Sequence, residues 1–216
     1  MARIAYVNGR YLPFAAACVH VEDRGYQFSD GVYEVIAVRG GRLVDTELHY
    51  DRLWRSLGEL AIDPARSRGA LDLVLRETIR RNRLRDGIVY LQITRGVAKR
   101  DHAFPDGAQS SLVVTARRGG RPAAGSVERG IGIVLLPDLR WQRRDIKSVS
   151  LLPNVLAKQA AREQGAFEAW LVDTNGFVTE GSSTNAWIVD DEGNLVPRQL
   201  ENAILSGITR RVLRDL

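Results

Sequence analysis

Residues 23–44 read DRGYQFSDGVYEVIAVRGGRLV, and the second half of this stretch has the pattern of a β-hairpin. Apolar residues are dense from Gly31 to Val38, the turn is Arg39-Gly40-Gly41, and Arg42–Val44 forms the returning strand. Glycines suit such a turn because tight hairpin turns need positive φ angles. The stretch therefore predicts a sheet assembled from antiparallel hairpins.

Hairpins and helices are also predicted on both sides of this stretch. Before it, residues 4–12 predict a tight hairpin with a type I′ turn at Asn8-Gly9. After it, the spacing of apolar residues predicts helices at 48–60 and from Asp63-Pro64 to Arg83. Further strands are predicted at 88–94, 112–116, 132–136, 169–172, 177–179, 186–189 and 194–196, and further helices at 155–164 and 208–216. The chain is therefore expected to have an α+β fold.

The chain is also expected to form two domains. Residues 119–126, GGRPAAGS, are the stretch richest in Gly, Pro, Ala and Ser, which is typical of an interdomain linker. This division gives an N-terminal domain at 1–118 and a C-terminal domain at 127–216.

The composition is that of a globular protein, with 44% hydrophobic and 26% charged residues. No run of about 18 uncharged apolar residues predicts a membrane span, and the N-terminus lacks the apolar segment of a secretion signal. Cys18 is the only cysteine and is expected to be a small core residue. His20, His49 and His102 have no metal-ligand spacing. These features favour a cytoplasmic protein without a bound metal.

The net charge of +5 is compatible with nucleic-acid binding, but the distribution of the charges argues against it. Many arginines are adjacent to acids, as in Asp23-Arg24 and Asp51-Arg52, and aromatic residues do not alternate with them as stacking platforms would. Nearly all of the basic residues are arginines, because Lys99, Lys147 and Lys158 are the only lysines. A lysine amine, unlike a guanidinium, can lose its proton and form an imine, so each lysine is a candidate for amine chemistry.

Three segments carry residue types that suit a polar cofactor. Asp145-Ile146-Lys147-Ser148 places a lysine beside apolar neighbours that can desolvate its amine. Thr179–Asn185 places the carboxylate of Glu180 before a run of small hydroxyl residues. Ile204–Arg210 opens a helix, whose first N–H groups can bind an anion. Taken singly, these segments are better explained as a surface lysine, a Ser/Thr turn and an ordinary helix start.

Taken together, five motifs in this order resemble the fold-type IV pyridoxal-phosphate enzymes. The motifs are Asp23–Glu34, Asp145–Lys147, Asn154–Lys158, Glu180–Ser183 and Leu205–Thr209. The resemblance covers essentially all 216 residues and is strongest to the D-amino acid aminotransferases. It implies a small N-terminal α/β domain and a larger, β-rich C-terminal domain that binds the cofactor.

The resemblance implies pyridoxal 5′-phosphate as the cofactor. Lys147 is implied as the catalytic, imine-forming lysine, and Glu180 as the partner of the pyridine nitrogen. Leu205 would pack on the ring, and Arg52 would bind the phosphate together with the start of the last helix. The implied cofactor-binding residues are Arg52, Glu180, Ser183, Leu205, Gly207, Ile208 and Thr209.

Residues 95–105, RGVAKRDHAFP, resemble the loop that binds the substrate α-carboxylate in D-amino acid aminotransferases. The matching groups are Arg100 and His102, assisted by Tyr33, and the planar fork of an arginine suits a carboxylate. The implied substrate-binding residues are Tyr33, Val35, Tyr90, Arg100, His102, Ser183 and Thr184. In the family this loop reaches the neighbouring subunit's site, so a homodimer is implied.

The expected activity is transamination between a D-amino acid, of the D-alanine or D-glutamate type, and a 2-oxo acid. The Lys147 amine would move the proton at Cα. Branched-chain aminotransferases, aminodeoxychorismate lyases and a cofactor-binding protein without turnover are the alternatives. Ile208, Val212 and Leu213 form an apolar stripe at the end of the chain, and family members continue beyond this helix. Either a partner subunit or a continuation past Leu216 is therefore expected to cover the stripe.

Overall fold

The computed structural model describes residues 3–64, 66–119 and 125–215 and divides the chain into two compact units. The first unit comprises Met1–Arg121 and Lys147–Ser150, and the second comprises Pro122–Ile146 and Leu151–Leu216. Most of the predicted linker at 119–126 lies outside the described residues.

The short segment Lys147–Ser150 differs from the predicted boundaries, which placed it in the domain at 127–216. Its backbone explains why it belongs to the first unit. The amide of Tyr33 donates to the carbonyl of Lys147 at 3.0 Å, and the amide of Val149 donates to the carbonyl of Gly31 at 3.0 Å. Main-chain hydrogen bonds thus attach the segment to the strand that begins at Gly31.

The first unit is built on a six-stranded sheet. Its elements are β1 (Ile4–Val7), β2 (Arg10–Pro13), a 3₁₀ turn (Phe14–Ala16), α1 (Arg24–Phe28), β3 (Gly31–Arg39), β4 (Arg42–Leu43), α2 (Thr46–Glu59), α3 (Arg68–Arg81), β5 (Gly87–Thr94) and β6 (Ser111–Arg118). The strand order is β2-β1-β6-β5-β3-β4, and every pairing is antiparallel. Both predicted hairpins of this unit are therefore confirmed, β1–β2 and β3–β4.

The apolar stripes of α2 and α3 bury the core of this unit. Leu53 and Leu57 on α2 and Leu71 and Leu75 on α3 are each at most 1% exposed. Burying one such side chain contributes about 1.5–3 kcal/mol, so this layer accounts for much of the stability of the unit.

Two local expectations in this unit were wrong. The helix predicted to start at Asp63-Pro64 begins at Arg68, because Ser67 is its N-cap and accepts a hydrogen bond from the amide of Ala70 at 3.2 Å. Cys18, expected in the core, is exposed because it follows the 3₁₀ turn in a segment without strand or helix.

The second unit carries two smaller sheets. Its elements are α4 (Ser126–Arg129), β7 (Ile133–Pro137), α5 (Leu152–Glu163), β8 (Glu168–Val172), β9 (Val178–Gly181), β10 (Trp187–Val189), β11 (Leu195–Pro197) and α6 (Ile208–Arg214). The sheets are β7-β8-β9, in which β7 and β8 run parallel, and the antiparallel pair β10–β11. Small residues of α5, Ala157 and Ala161, pack on Ala169 and Leu171 of β8.

Both units combine helices with sheets, which confirms the expected α+β fold. In this chain the long strands β3, β5 and β6 all belong to the first unit. Among the described residues, no helix has the length and apolar character that crossing a membrane requires. The same residues contain no cluster of three or more His, Cys, Asp or Glu that could hold a metal ion.

Asp30 connects three segments of the first unit. Its Oδ2 accepts from Arg24 Nε at 2.8 Å and from Arg95 Nε at 2.7 Å, and its Oδ1 accepts from Arg95 Nη2 at 3.0 Å. Arg95 also donates to the carbonyls of Leu60 and Ala61, at 2.7 and 2.9 Å. Burial would raise the pKa of Asp30, but hydrogen bonds from the two arginines outweigh it and hold the pKa below its usual value.

Replacing Asp30 should destabilise the first unit and remove part of its acid sensitivity. Asp30→Asn leaves two buried arginines without their carboxylate, which we expect to lower the free energy of unfolding by about 3 kcal/mol at pH 7. Because the pKa of Asp30 is lowered by folding, its stabilisation is present above the unfolded value of about 3.9 and is lost as the pH falls below it. Urea denaturation between pH 3 and pH 7 measures both effects.

Asp51→Asn is the matched control, because Asp51 pairs with Arg68 at 2.7 Å while both side chains are largely exposed. An exposed pair contributes about 1 kcal/mol at most. The assignment is contradicted if the two variants lose the same free energy of unfolding. It is also contradicted if the stability of Asp30→Asn falls as steeply toward pH 3 as that of the parent.

Candidate active site

Lys147 is half-buried at the edge of β3, and its backbone is fixed from two sides. Its amide donates to the hydroxyl of Ser56 on α2 at 3.2 Å, and its carbonyl accepts from the amide of Tyr33 on β3. Its Nζ lies 4.3 Å from the centroid of the Tyr33 ring. An ammonium over an aromatic face is stabilised electrostatically, so the structure defines where the amine of Lys147 lies.

Tyr33, Val35 and Tyr90 lie on one face of the sheet. Val35 is opposite Tyr90 in the β3–β5 register, and the rings of Tyr33 and Tyr90 stack with centroids 5.7 Å apart. The Tyr90 hydroxyl donates to Gln92 Oε1 at 2.6 Å. Burial, and to a smaller extent Tyr33, raises the pKa of Tyr90 to about 12, so its hydroxyl is protonated at neutral pH. Gln92 was not predicted, although its two-residue spacing from Tyr90 puts it on the same face.

The opposite face of β3 carries a buried carboxylate that the sequence analysis missed. Glu34 is 0% exposed and accepts from Arg52 Nε and Arg52 Nη2, both at 2.7 Å. His49 Nδ1 lies 2.7 Å from Glu34 Oε2. Burial would raise the pKa of Glu34, but Arg52 and His49, with a smaller effect of the charge of Lys147, hold it below its usual value. Arg52, expected at a phosphate, is therefore also the partner of Glu34.

Glu180 is the corresponding buried carboxylate of the second unit, at 5% exposure near the end of β9. It accepts from Arg140 Nη1, from Asn185 Nδ2 at 3.0 Å and from the amide of Leu205 at 3.1 Å. Burial raises the pKa of Glu180, while Arg140 acts in the opposite direction. Asn185 also donates to the carbonyl of Leu205 at 3.0 Å. The structure thus brings together Glu180 and Leu205, which the family resemblance predicts at the cofactor.

Arg140 was not predicted, and it fixes the orientation of Glu180. Its guanidinium donates to Asp138 through Nε at 2.9 Å and through Nη2 at 2.7 Å, in addition to Glu180. Asp138 also accepts from the hydroxyl of Thr179 at 2.7 Å. Arg140 therefore lies between two carboxylates and compensates the charge of both.

The hydroxyl groups after Glu180 are directed at another buried carboxylate. Glu168, with a 2% exposed side chain, accepts from the hydroxyl of Ser182, from Ser183 at 2.9 Å and from Thr184 at 3.3 Å. The Nζ of Lys158 lies 3.4 Å from Glu168. A hydroxyl has one proton to donate, so Ser183 and Thr184 use theirs on Glu168 rather than on an external oxygen. The structure thus gives the hydroxyls of these two predicted binding residues a partner within the second unit.

Gly207 is the N-cap of α6 and has little room for a side chain. A Cβ built on Gly207 would lie 2.0 Å from Asn185 Oδ1, a contact that real Cβ atoms do not make. No side chain caps this helix end, and the first N–H groups of a helix have no intrahelical partner. Ile208 is buried and Thr209 is exposed. The start of α6 can therefore present backbone donors to an anion.

Arg100 and His102 lie together on the exposed loop after β5. Both contact the ring of Phe28 in α1: Arg100 Cζ is 4.7 Å from its centroid, and the His102 ring is 5.4 Å away. Arg24 Nη1 donates to the carbonyl of Asp101 at 2.5 Å, and Arg24 Nη2 to that of His102 at 3.4 Å. No role was predicted for Arg24 or Phe28 from the sequence, although both lie in the motif Asp23–Glu34.

Sequence comparison finds close relatives along nearly the whole chain. The model of the family "Amino-transferase class IV" matches residues 31–216. A D-alanine aminotransferase of Bacillus licheniformis is 40% identical over 209 residues, which are 97% of this chain and 73% of that protein. A D-alanine aminotransferase of Staphylococcus aureus is 38% identical over 211 residues, which are 98% of this chain and 74% of that protein.

Solved structures share the fold of this chain. The branched-chain amino acid aminotransferase of Escherichia coli matches all of this chain and 74% of its own, with a TM-score of 0.89 and 24% identity, which shows the fold alone. The 4-amino-4-deoxychorismate lyase of Pseudomonas aeruginosa matches 98% of this chain and 76% of its own, with a TM-score of 0.83 and 29% identity. The chain therefore has the fold-type IV architecture and belongs to the class IV aminotransferase family.

Proposed function

We propose that the chain transfers an amino group between a D-amino acid of the D-alanine or D-glutamate type and a 2-oxo acid. The observation that carries the proposal is the 38–40% identity to D-alanine aminotransferases over at least 97% of the chain. The branched-chain aminotransferase is 24% identical, and the deoxychorismate lyase 29% identical, so both are less similar in sequence.

Pyridoxal 5′-phosphate is the proposed cofactor, and the donor set of this chain fits it. Glu180 is a buried carboxylate that can pair with a protonated ring nitrogen, and Lys147 offers an amine of defined position. The uncapped start of α6 offers the Ile208 and Thr209 amides to a phosphate. Arg52, which pairs with Glu34, is proposed as a further contact of the phosphate. Leu205, Gly207 and Ser183 complete the proposed set.

When bound, pyridoxal phosphate supplies an electron-accepting ring that makes the Cα–H of an attached amino acid acidic. The residues of the chain then perform the proton transfers. Lys147 would take the proton from Cα with its amine and pass it to the cofactor carbon that receives the amino group, and in the second half of the reaction it would move a proton in the reverse direction. Glu180 holds a proton at the ring nitrogen, because an ionised buried carboxylate stabilises a neighbouring cation.

The substrate is proposed to bind through its α-carboxylate. Arg100 provides a planar, permanently charged partner, and His102 lies beside it on the same ring of Phe28. Tyr33 contributes its hydroxyl, and the neighbouring Val35 and Tyr90 line the same face of the sheet. Ser183 and Thr184 are proposed near the substrate through groups other than the hydroxyl protons that Glu168 accepts.

The proposed partners are small amino acids and oxo acids, with a second copy of the chain forming a homodimer. Neither a nucleic acid nor a membrane surface is proposed as a partner. The proposed location is the cytoplasm, where a single free thiol such as Cys18 stays reduced.

Lys147→Ala should abolish transamination, because no other lysine occupies a comparable position. Lys147→Arg is the sharper variant, since it keeps the positive charge but cannot release a proton near neutral pH. Both variants should have less than about a thousandth of the parent rate, in line with the loss of a general base. Borohydride reduction of the parent, followed by peptide mapping, should find the cofactor attached to Lys147. Attachment to Lys99 or Lys158 would show that the catalytic lysine is another one.

Glu180→Gln should retain the cofactor and lose at least about tenfold in kcat, because an amide cannot stabilise a protonated ring nitrogen as a carboxylate does. Bound cofactor is measured by absorbance after gel filtration, and kcat by a coupled assay with D-alanine. Glu192→Gln is the control, since Glu192 is an exposed carboxylate in the turn between β10 and β11. A Glu180→Gln enzyme as fast as the parent would leave Glu180 with a structural role only.

Arg100→Ala should weaken the binding of amino and oxo acids without releasing the cofactor. A carboxylate deprived of its charged partner loses about 2–5 kcal/mol of binding, so kcat/KM for D-alanine should fall roughly 30-fold or more. Lys99→Ala removes a neighbouring exposed cation and should change kcat/KM by less than about twofold. Unchanged kinetics in Arg100→Ala, or a parent enzyme that prefers L-amino acids, would contradict the D-amino acid proposal.

A further inference from the structure

The loop that carries Arg100 and His102 is held by a buried side chain of another segment. Arg24 is 3% exposed, and its guanidinium makes three hydrogen bonds. One goes to the carboxylate of Asp30, and the others go to the carbonyls of Asp101 and His102, at 2.5 and 3.4 Å. Arg24 thus binds two consecutive main-chain carbonyls of the loop.

Phe28 holds the side chains of the same loop. Its ring is the common contact of Arg24 at 4.8 Å, of Arg100 at 4.7 Å and of the His102 ring at 5.4 Å, all measured to the ring centroid. Arg24 and Phe28 are one helical turn apart on α1, so they project to the same side of that helix. One face of α1 therefore contacts both the backbone of the loop and its two candidate carboxylate-binding groups.

An exposed loop without strand or helix has many conformations, and ordering it at the moment of binding reduces affinity. We propose that Arg24 and Phe28 are positioning residues for the substrate α-carboxylate, holding Arg100 and His102 in place before the substrate arrives. This inference rests on the proposed function, in which Arg100 and His102 bind the carboxylate. It adds that Arg24 and Phe28 of α1 determine how tightly the carboxylate binds.

A merely structural role of Arg24 predicts something different. Its ion pair with Asp30 contributes to stability, and losing it would lower the melting temperature without selective loss of carboxylate binding. A positioning role predicts weaker binding of any carboxylate ligand while kcat and cofactor binding are kept. Asn82 provides the matched structural control, because it makes three hydrogen bonds to Ile4 and Thr78 within the same unit.

The experiment compares Arg24→Lys, Phe28→Leu and Phe28→Tyr with Asn82→Ala in the full chain loaded with cofactor. The readouts are KM and kcat for D-alanine, the inhibition constant of propanoate, and the dissociation constant of the cofactor. Lysine keeps the charge next to Asp30 but lacks the fork that reaches both carbonyls. Arg24→Lys and Phe28→Leu should each raise KM and the propanoate inhibition constant about tenfold, with kcat changed less than about twofold.

The controls separate positioning from stability. Phe28→Tyr keeps the ring and should restore parental constants, and Asn82→Ala should lower the melting temperature and leave KM and the inhibition constant unchanged. Cofactor dissociation should be the same in all four variants. If Arg24→Lys does not fold, the comparison of Phe28→Leu with Phe28→Tyr still distinguishes a positioning role from a structural role.

The inference is overturned if Arg24→Lys and Phe28→Leu bind D-alanine and propanoate like the parent while Arg100→Ala does not. It is also overturned if Asn82→Ala weakens both ligands equally. If Arg100→Ala itself leaves both constants unchanged, the carboxylate assignment of the proposed function has failed, and the inference falls with it. Measuring Arg100→Ala in the same series therefore distinguishes the two failures.

Discussion

Side chains on a β-strand alternate between its two faces, and in β3 this alternation organises the candidate site of the first unit. Tyr33 and Val35 lie on the face shared with Tyr90, while Glu34, between them, is buried on the face that meets α2. The free edge of the same strand binds the backbone of Lys147. A shift of one residue in the β3–β5 register would move each side chain of β3 to the opposite face. The hydrogen-bonded pairing along the whole strand therefore fixes on which face Tyr33, Glu34 and Val35 lie.

In each unit, the buried carboxylates have a specific set of donors, which accounts for part of the basic composition of the chain. Asp30 is paired with Arg24 and Arg95, and Glu34 with Arg52. Glu180 is paired with Arg140, while Glu168 takes serine and threonine hydroxyls. A buried carboxylate without partners would be protonated or would destabilise the fold. Many of the arginines behind the net charge of +5 therefore serve as internal counter-ions.

Most helices and strands were predicted from the sequence, because hairpins and amphipathic helices depend on the pattern of neighbouring residues. This pattern placed β3 and β4 correctly, but it missed the start of α3, where Ser67 rather than Asp63-Pro64 caps the helix. The hydrogen bonds that hold the candidate site residues could not be predicted from the sequence. Arg140 and Glu180 are 40 positions apart in the chain, and Arg24 and His102 are 78 positions apart. No local pattern reports such pairs. The family resemblance named residues expected to touch the cofactor or substrate, but not the residues that hold them.

The three lysines show how environment separates an amine suited to chemistry from a simple charge. Lys158 donates to the carbonyl of Phe167 and lies 3.4 Å from the buried Glu168, so its amine already has two partners. Lys99 is exposed to solvent. Lys147 is half-buried, with its backbone fixed by β3 and α2 and its amine over the Tyr33 ring. An amine that must gain and lose a proton at a defined point needs partial desolvation and a fixed attachment, and Lys147 combines the two.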